Sequence, residues 1–184
     1  MKKIAFSLFL LSTAFISQAQ ETIQTSNSDM PKNEVKWNIA NTIAFGSVEL
    51  GYEYFIDGHQ SIGAEILIND AYNYGISRQY KDFDTNSFQV TYNYYMSSEN
   101  NGSGFVLSPM LKYRSGEYQK TETDPKINMN SFILGIGGGY KWNLSNKFVF
   151  GPYINIGRNF SNEVNDEFNI AVEFNAGFSV GYRF

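Results

Sequence analysis

From Phe168 to Phe184 every second residue is apolar: Phe168, Ile170, Val172, Phe174, Ala176, Phe178, Val180, Tyr182 and Phe184. Between them stand Asn169, Ala171, Glu173, Asn175, Gly177, Ser179, Gly181 and Arg183. A period of two is that of a β-strand, whose successive side chains point to opposite faces. So long an alternation does not suit a helix, whose apolar positions recur at three and four. It requires a strand with one apolar and one polar side.

The same pattern recurs upstream. Apolar residues alternate with polar or small ones over 35–45 (Trp37, Ile39, Ile43, Phe45), 48–56 (Val48, Leu50, Tyr52, Tyr54, Ile56) and 61–69 (Ile62, Ala64, Ile66, Ile68). They do so again over 87–96, 105–115, 131–143 and 148–157. With 168–184 this predicts eight strands. The links alternate in length. "DGHQ" (57–60), "SSENNGSG" (97–104) and "NLSNK" (143–147) are tight or Gly/Asn-rich turns, whereas 70–86, 116–130 and 158–168 are longer and polar. The link at Gly46 breaks this rule, being short where a long one is due.

The start, MKKIAFSLFLLSTAFISQAQ, has the three parts of a secretory signal: basic Lys2 and Lys3, an apolar run from Ile4 to Ile16, and small residues in Ser17-Gln18-Ala19. The run is too short for a membrane helix, which needs about 20 residues. We expect cleavage after Ala19, a flexible polar leader over 20–34 and a single barrel over 35–184. Losing Lys2 and Lys3 takes the formal net charge from −4 to −6. An acidic chain without a basic run is a poor nucleic-acid binder. With no cysteine, disulfides, thiol chemistry and thiolate metal sites are excluded.

Alternation fits a soluble barrel or a membrane barrel, and the two differ in which face is apolar. Here the polar face carries charges together with Gly63, Gly135, Gly137, Gly139, Gly177 and Gly181. The apolar face is bulky and tipped by aromatic residues, as an interfacial girdle would be. Strands of about 9–11 residues suit a tilted bilayer span. In hydrocarbon a sheet must close, because an open edge would strand unpaired backbone groups. The expected fold is an all-β, eight-stranded antiparallel up-and-down transmembrane β-barrel.

The ending "FSVGYRF" resembles the C-terminal signal by which bacterial outer-membrane barrels are recognised for assembly, which would give Phe178, Val180, Tyr182 and Phe184 that role. The mature chain resembles the small eight-stranded barrels of the OmpX and OmpA-transmembrane type. Residues 33–69, with "FGS", "LGYEY" and "SIGAE", are similar to a family of small Bacteroidota outer-membrane barrels that brings no agreed activity with it. The resemblance implies a bacterial outer-membrane location, with membrane lipid and the barrel-assembly machinery as partners.

Four motifs bear on chemistry. His59 is the sole histidine and falls in a predicted turn, a poor setting for a catalytic pair. Asp82, Asp84 and Asn86 open like a calcium loop but lack its glycine and closing glutamate, so a solvated acidic loop is the better reading. "GIGGG" (135–139) lies within a strand, not before a helix, and reads as space-making in a narrow interior. Tyr72, Tyr74, Tyr80 and Phe83 decorate the longest loop, either to recognise an extracellular ligand or to pack on the rim. Pro109 and Pro152 cannot donate to a ladder and predict local bulges.

If the apolar faces meet lipid, the polar faces bring nine charged residues inside: Lys36, Glu53, Lys141 and Arg183 near the periplasmic end, and Glu49, Glu65, Lys112, Arg114 and Glu173 above. Buried singly they would cost several kcal/mol each, so ion pairs are required. We expect Glu65 or Glu173 with Lys112 or Arg114, and Glu53 with Lys141 or Arg183. The expected function is that of a monomeric, non-enzymatic outer-membrane protein without cofactor or metal, structural or surface-interacting. The alternatives are a barrel enzyme acting on lipid or peptide, a narrow pore or small-solute carrier, and a soluble periplasmic lipid-binding barrel.

Overall fold

The alternating segments pair into one closed antiparallel sheet. The structure is a computed structural model and describes residues 30–70, 82–97, 101–119, 124–144, 147–168 and 171–184; the predicted signal segment 1–19 and most of the predicted leader lie outside these. The strands are β1 (Asn33–Asn38), β2 (Val48–Phe55), β3 (Gln60–Ile68), β4 (Asp82–Met96), β5 (Gly104–Gln119), β6 (Ile127–Asn128), β7 (Ser131–Leu144), β8 (Phe148–Asn159) and β9 (Val172–Arg183). Their order is β4-β3-β2-β1-β9-β8-β7-β5, closed by β4 on β5. The two-residue β6 lies on the end of β5, outside the ring. Eight strands therefore make the wall.

Followed through its partners from Val35, the register passes Tyr52, Ala64, Val90, Leu111, Leu134, Arg158 and Val172. Since Arg183 faces Glu34, Val172 falls opposite position 45, ten residues beyond the start. Such a stagger tilts the strands and leaves an interior that side chains fill.

The barrel is apolar outside and polar inside. Phe105 is 64% exposed and Leu134 59%, whereas Glu53, Arg114 and Arg183 are each 1% exposed. No water-soluble core has that distribution. Around the end that carries the short turns, aromatic rings touch within and between strands. Phe105 meets Tyr140 edge-on at 4.9 Å, Tyr140 meets Trp142 at 4.9 Å, and Trp142 stacks on Phe150 at 5.5 Å. Tyr113 and Phe132, 4.8 Å apart, lie towards the opposite end. Aliphatic residues such as Ile66 and Ile136 lie between. This is the profile of a lipid-facing belt with aromatic borders.

Three expectations need correction. The first strand does not run to position 45: it ends at Asn38, and Ile39–Phe45 form a helix, α1. The Asn38 side chain caps it by accepting from the Asn41 N–H, and Gly46, at φ 69°, closes it by donating to the Thr42 carbonyl. Ile39 and Ile43 are four apart, a spacing that satisfies either period, so the caps decide. The acidic "DFDTN" is not a loop either, because β4 begins at Asp82. Finally, the prolines interrupt the ladders without inserting a residue. The β4–β5 register skips the two positions opposite Pro109 and Ser108, then resumes unshifted, and β7–β8 does the same at Pro152 and Gly151. Proline removes a donor there, and no bulge follows.

Above the long-link end, Ser161 starts a second helix, α2 (Asn162–Phe168), within the predicted 158–168 loop, and its carbonyl accepts from the Asn165 N–H. Tyr118, Met129 and Val164 are fully buried together there, with Ile127 against them.

Candidate functional site

The inward residues of the eight strands build a charged lumen in three tiers. Lowest, at the short-turn end, the Lys141 ammonium lies 2.8 Å from Glu34 and 3.0 Å from Glu53. Arg183 Nε lies 2.9 Å from the other Glu34 oxygen. Its remaining nitrogens donate to the Asn101 and Gly102 carbonyls at 2.7 and 2.6 Å, tying the β4–β5 turn beneath the barrel. Ser61 and Tyr95 donate to Glu53. The Arg183 guanidinium also lies over the Phe55 ring, 4.6 Å from its centre. Every oxygen and ammonium of this tier is therefore held.

The top tier joins β5, β9 and Asp70, the second residue after β3. Arg114 makes a two-armed pair with Glu173, 2.6 and 2.8 Å, and reaches Asp70 with Nε and Nη2 at 3.1 and 3.0 Å. Lys112 lies 2.8 Å from Asp70 and 3.6 Å from Glu173. Asn159 and Ser87 complete the acceptors' shells. Planar forked pairing of this kind is what arginine supplies and lysine does not.

The middle tier is looser. Lys36 pairs with Glu65, to which Gln89 also donates at 3.4 Å. Lys36 fits because Gly51 faces it: a β-carbon at Gly51 would stand 2.6 Å from its Cε. Glu49 accepts from Asn41 at one oxygen, 2.7 Å, and from Asn38 and Tyr153 at the other, 2.7 and 2.6 Å. Between the tiers lies a cavity of about 80 Å³ whose lining includes Lys36, Glu49, Glu65, Thr91 and Tyr153.

All nine residues predicted for the lumen stand inside it, but their partners differ in part. Glu173 meets Arg114 and Lys112, and Glu53 meets Lys141, as expected from the sequence. Glu65, expected with Lys112 or Arg114, instead takes Lys36, because Asp70 occupies both upper cations. Asp70 and Glu34 were missed. The sequence pattern puts one in a loop and the other in the leader, although Glu34 continues the two-residue phase of Lys36 and so carries a readable signal. Phe178, Tyr182 and Phe184 are exposed on the outer face, and Val180 lies on that face half-buried. His59 stays in the turn, its Nδ1 3.1 Å from the Tyr95 carbonyl. Tyr72, Tyr74 and Tyr80 lie outside the described residues, and Phe83 belongs to β4.

No protein-family model matches the sequence, and no curated protein matches it. Among solved structures, the chain is similar to the N-terminal β-barrel domain of Pseudomonas aeruginosa OprF, with a TM-score of 0.56 and 13% identity over 85% of this chain and 100% of that one. It also matches Ail, the attachment invasion locus protein of Yersinia pestis, with a TM-score of 0.44 and 13% identity over 83% of this chain and 93% of that one. The likeness to the OprF domain is one of fold, the closed eight-stranded antiparallel barrel.

Proposed function

We propose that the protein is an integral outer-membrane barrel with a non-enzymatic role, a closed stave-work that holds its long links outside the cell. One observation carries this reading: apolar side chains are exposed on the wall while arginines, lysines and carboxylates are buried within it. Only a lipid surround makes that arrangement favourable. The interior acids are engaged in ion pairs and hydrogen bonds, which suits them to structure more than to proton transfer. The buried Tyr118–Met129–Val164 cluster gives the outer links a small core of their own, a rigid platform for surface contact.

The chain has no cysteine, so single substitutions can report location. Lys126→Cys, on an exposed long link, should react with a membrane-impermeant maleimide on intact cells. Lys147→Cys, on an exposed short turn, should react only after the outer membrane is opened. Equal labelling of both on intact cells would defeat the assignment.

The upper and lower tiers also close the lumen. Purified protein in planar bilayers should therefore show no large steady conductance. A stable open channel that disappears when Arg114 or Lys141 is changed would favour a pore instead.

A further inference from the structure

We infer that Arg158 docks the phosphate of a lipid headgroup at the outer border of the apolar belt, an inference that rests on the outer-membrane reading. Every other arginine and lysine on the described wall strands points inward to a carboxylate: Lys36, Lys112, Arg114, Lys141 and Arg183. Arg158 points outward and is exposed, in phase with the exposed Ile154 and Ile156 of β8. Its neighbours across the sheet are Leu134 and Val172, 59% and 50% exposed. Among the described residues no carboxylate pairs with it and no acceptor bonds it.

Its height decides what it meets. Arg158 stands ten residues above Phe148 on β8, and Phe148 lies against Tyr182 at the lower aromatic border. At about 3.3 Å per residue and a tilt of about 40°, the climb is about 25 Å, the height of an apolar band. The guanidinium is therefore level with the upper border, where Tyr113 and Phe132 lie and headgroups replace acyl chains. A cation facing lipid is costly at mid-belt and nearly free of cost at its edge.

The surroundings leave its donors open. The Phe160 N–H donates to the Phe132 carbonyl at 3.0 Å, and the Phe160 ring centre lies 5.8 Å from the Arg158 guanidinium carbon. A ring attracts the charge without taking any of the five N–H donors. A planar fork of N–H groups suits a phosphate, which it grips with two parallel bonds. A free phosphate has nothing to place against Leu134 and Val172, whereas a lipid lays its acyl chains there.

The test uses the whole barrel folded in detergent. Phosphatidic acid and diacylglycerol of the same acyl chains, which differ only in the phosphate, are added in turn. Native mass spectrometry should find about tenfold more phosphatidic acid than diacylglycerol on the wild type, the worth of a charge-assisted bond. Arg158→Gln should abolish that preference, and Lys126→Gln, at another exposed cation, should leave it whole. Equal retention of the two lipids by the wild type would overturn the proposal. A preference that survives in Arg158→Gln, or is lost equally in Lys126→Gln, would overturn it too. Release of the bound lipid by inorganic phosphate would do the same, since the ligand would then be a free anion. Insertion into phosphatidylcholine vesicles, read by the mobility of unboiled protein, tests the membrane reading separately. A barrel that inserts but shows no preference sinks the phosphate site alone.

Discussion

Arg114→Met should lower the unfolding free energy of the barrel by about 3–5 kcal/mol, the cost of breaking a buried ion network from one side. Arg114 is 1% exposed and touches both Asp70 and Glu173, so its loss leaves two buried carboxylates sharing the Lys112 ammonium. Urea unfolding in detergent, followed by the mobility of unboiled protein on gels, measures the change. The triple variant Arg114→Met, Asp70→Asn, Glu173→Gln should recover most of the loss, because the cost lies in orphaned charge and not in missing attraction. A single variant within about 1 kcal/mol of wild type, the range of an exposed pair, would show that the upper tier is open to water.

Gly151→Ala should be among the most damaging one-carbon additions in the wall, at about 3 kcal/mol or more, the upper end of overpacking costs. A β-carbon there would stand 1.8 Å from the Tyr140 carbonyl oxygen and 2.9 Å from its carbon. These are backbone atoms of the neighbouring strand, so no rotamer change relieves the clash. Gly138→Ala is the matched control. Its new carbon would meet nothing nearer than the Val106 oxygen at 3.6 Å, and its effect should fall within about 0.5 kcal/mol. Comparing the two urea midpoints separates a local collision from any general intolerance of side chains at wall glycines.

The barrel was legible in the sequence because lipid imposes a simple rule on every strand: apolar out, polar in. Phe88, Val90 and Tyr92 alternate with Gln89, Thr91 and Asn93, and the structure places each set on the face its chemistry requires. What the sequence hid is non-local. Asp70 follows a strand that was already complete, and only the folded barrel brings it to Lys112 and Arg114, more than forty positions away. The helix α1 was hidden for a different reason. It is one short element whose apolar spacing matches a strand, and its identity rests on two single-residue caps, Asn38 and Gly46. In the two-residue phase of Lys36, Asn38 is indistinguishable from one more inward polar residue. Glu49 shows the same limit: its position could be read, but the neutral shell of Asn38, Asn41 and Tyr153 could not.

The shortness of β1 has a consequence for how the cylinder is completed. Five register positions join it to β9 and five to β2, against eleven between β8 and β9. Backbone pairing alone makes it the least secured stave. Yet each of its inward residues is bound across the interior: Glu34 to Lys141 and Arg183, Lys36 to Glu65, and Asn38 to Glu49. The stave is keyed by charge where it is thinly laced by backbone. Until it is seated, Arg183 lacks its carboxylate and Glu65 its ammonium, and both keep their water. Seating this stave therefore closes the sheet and completes the lower and middle ion pairs together.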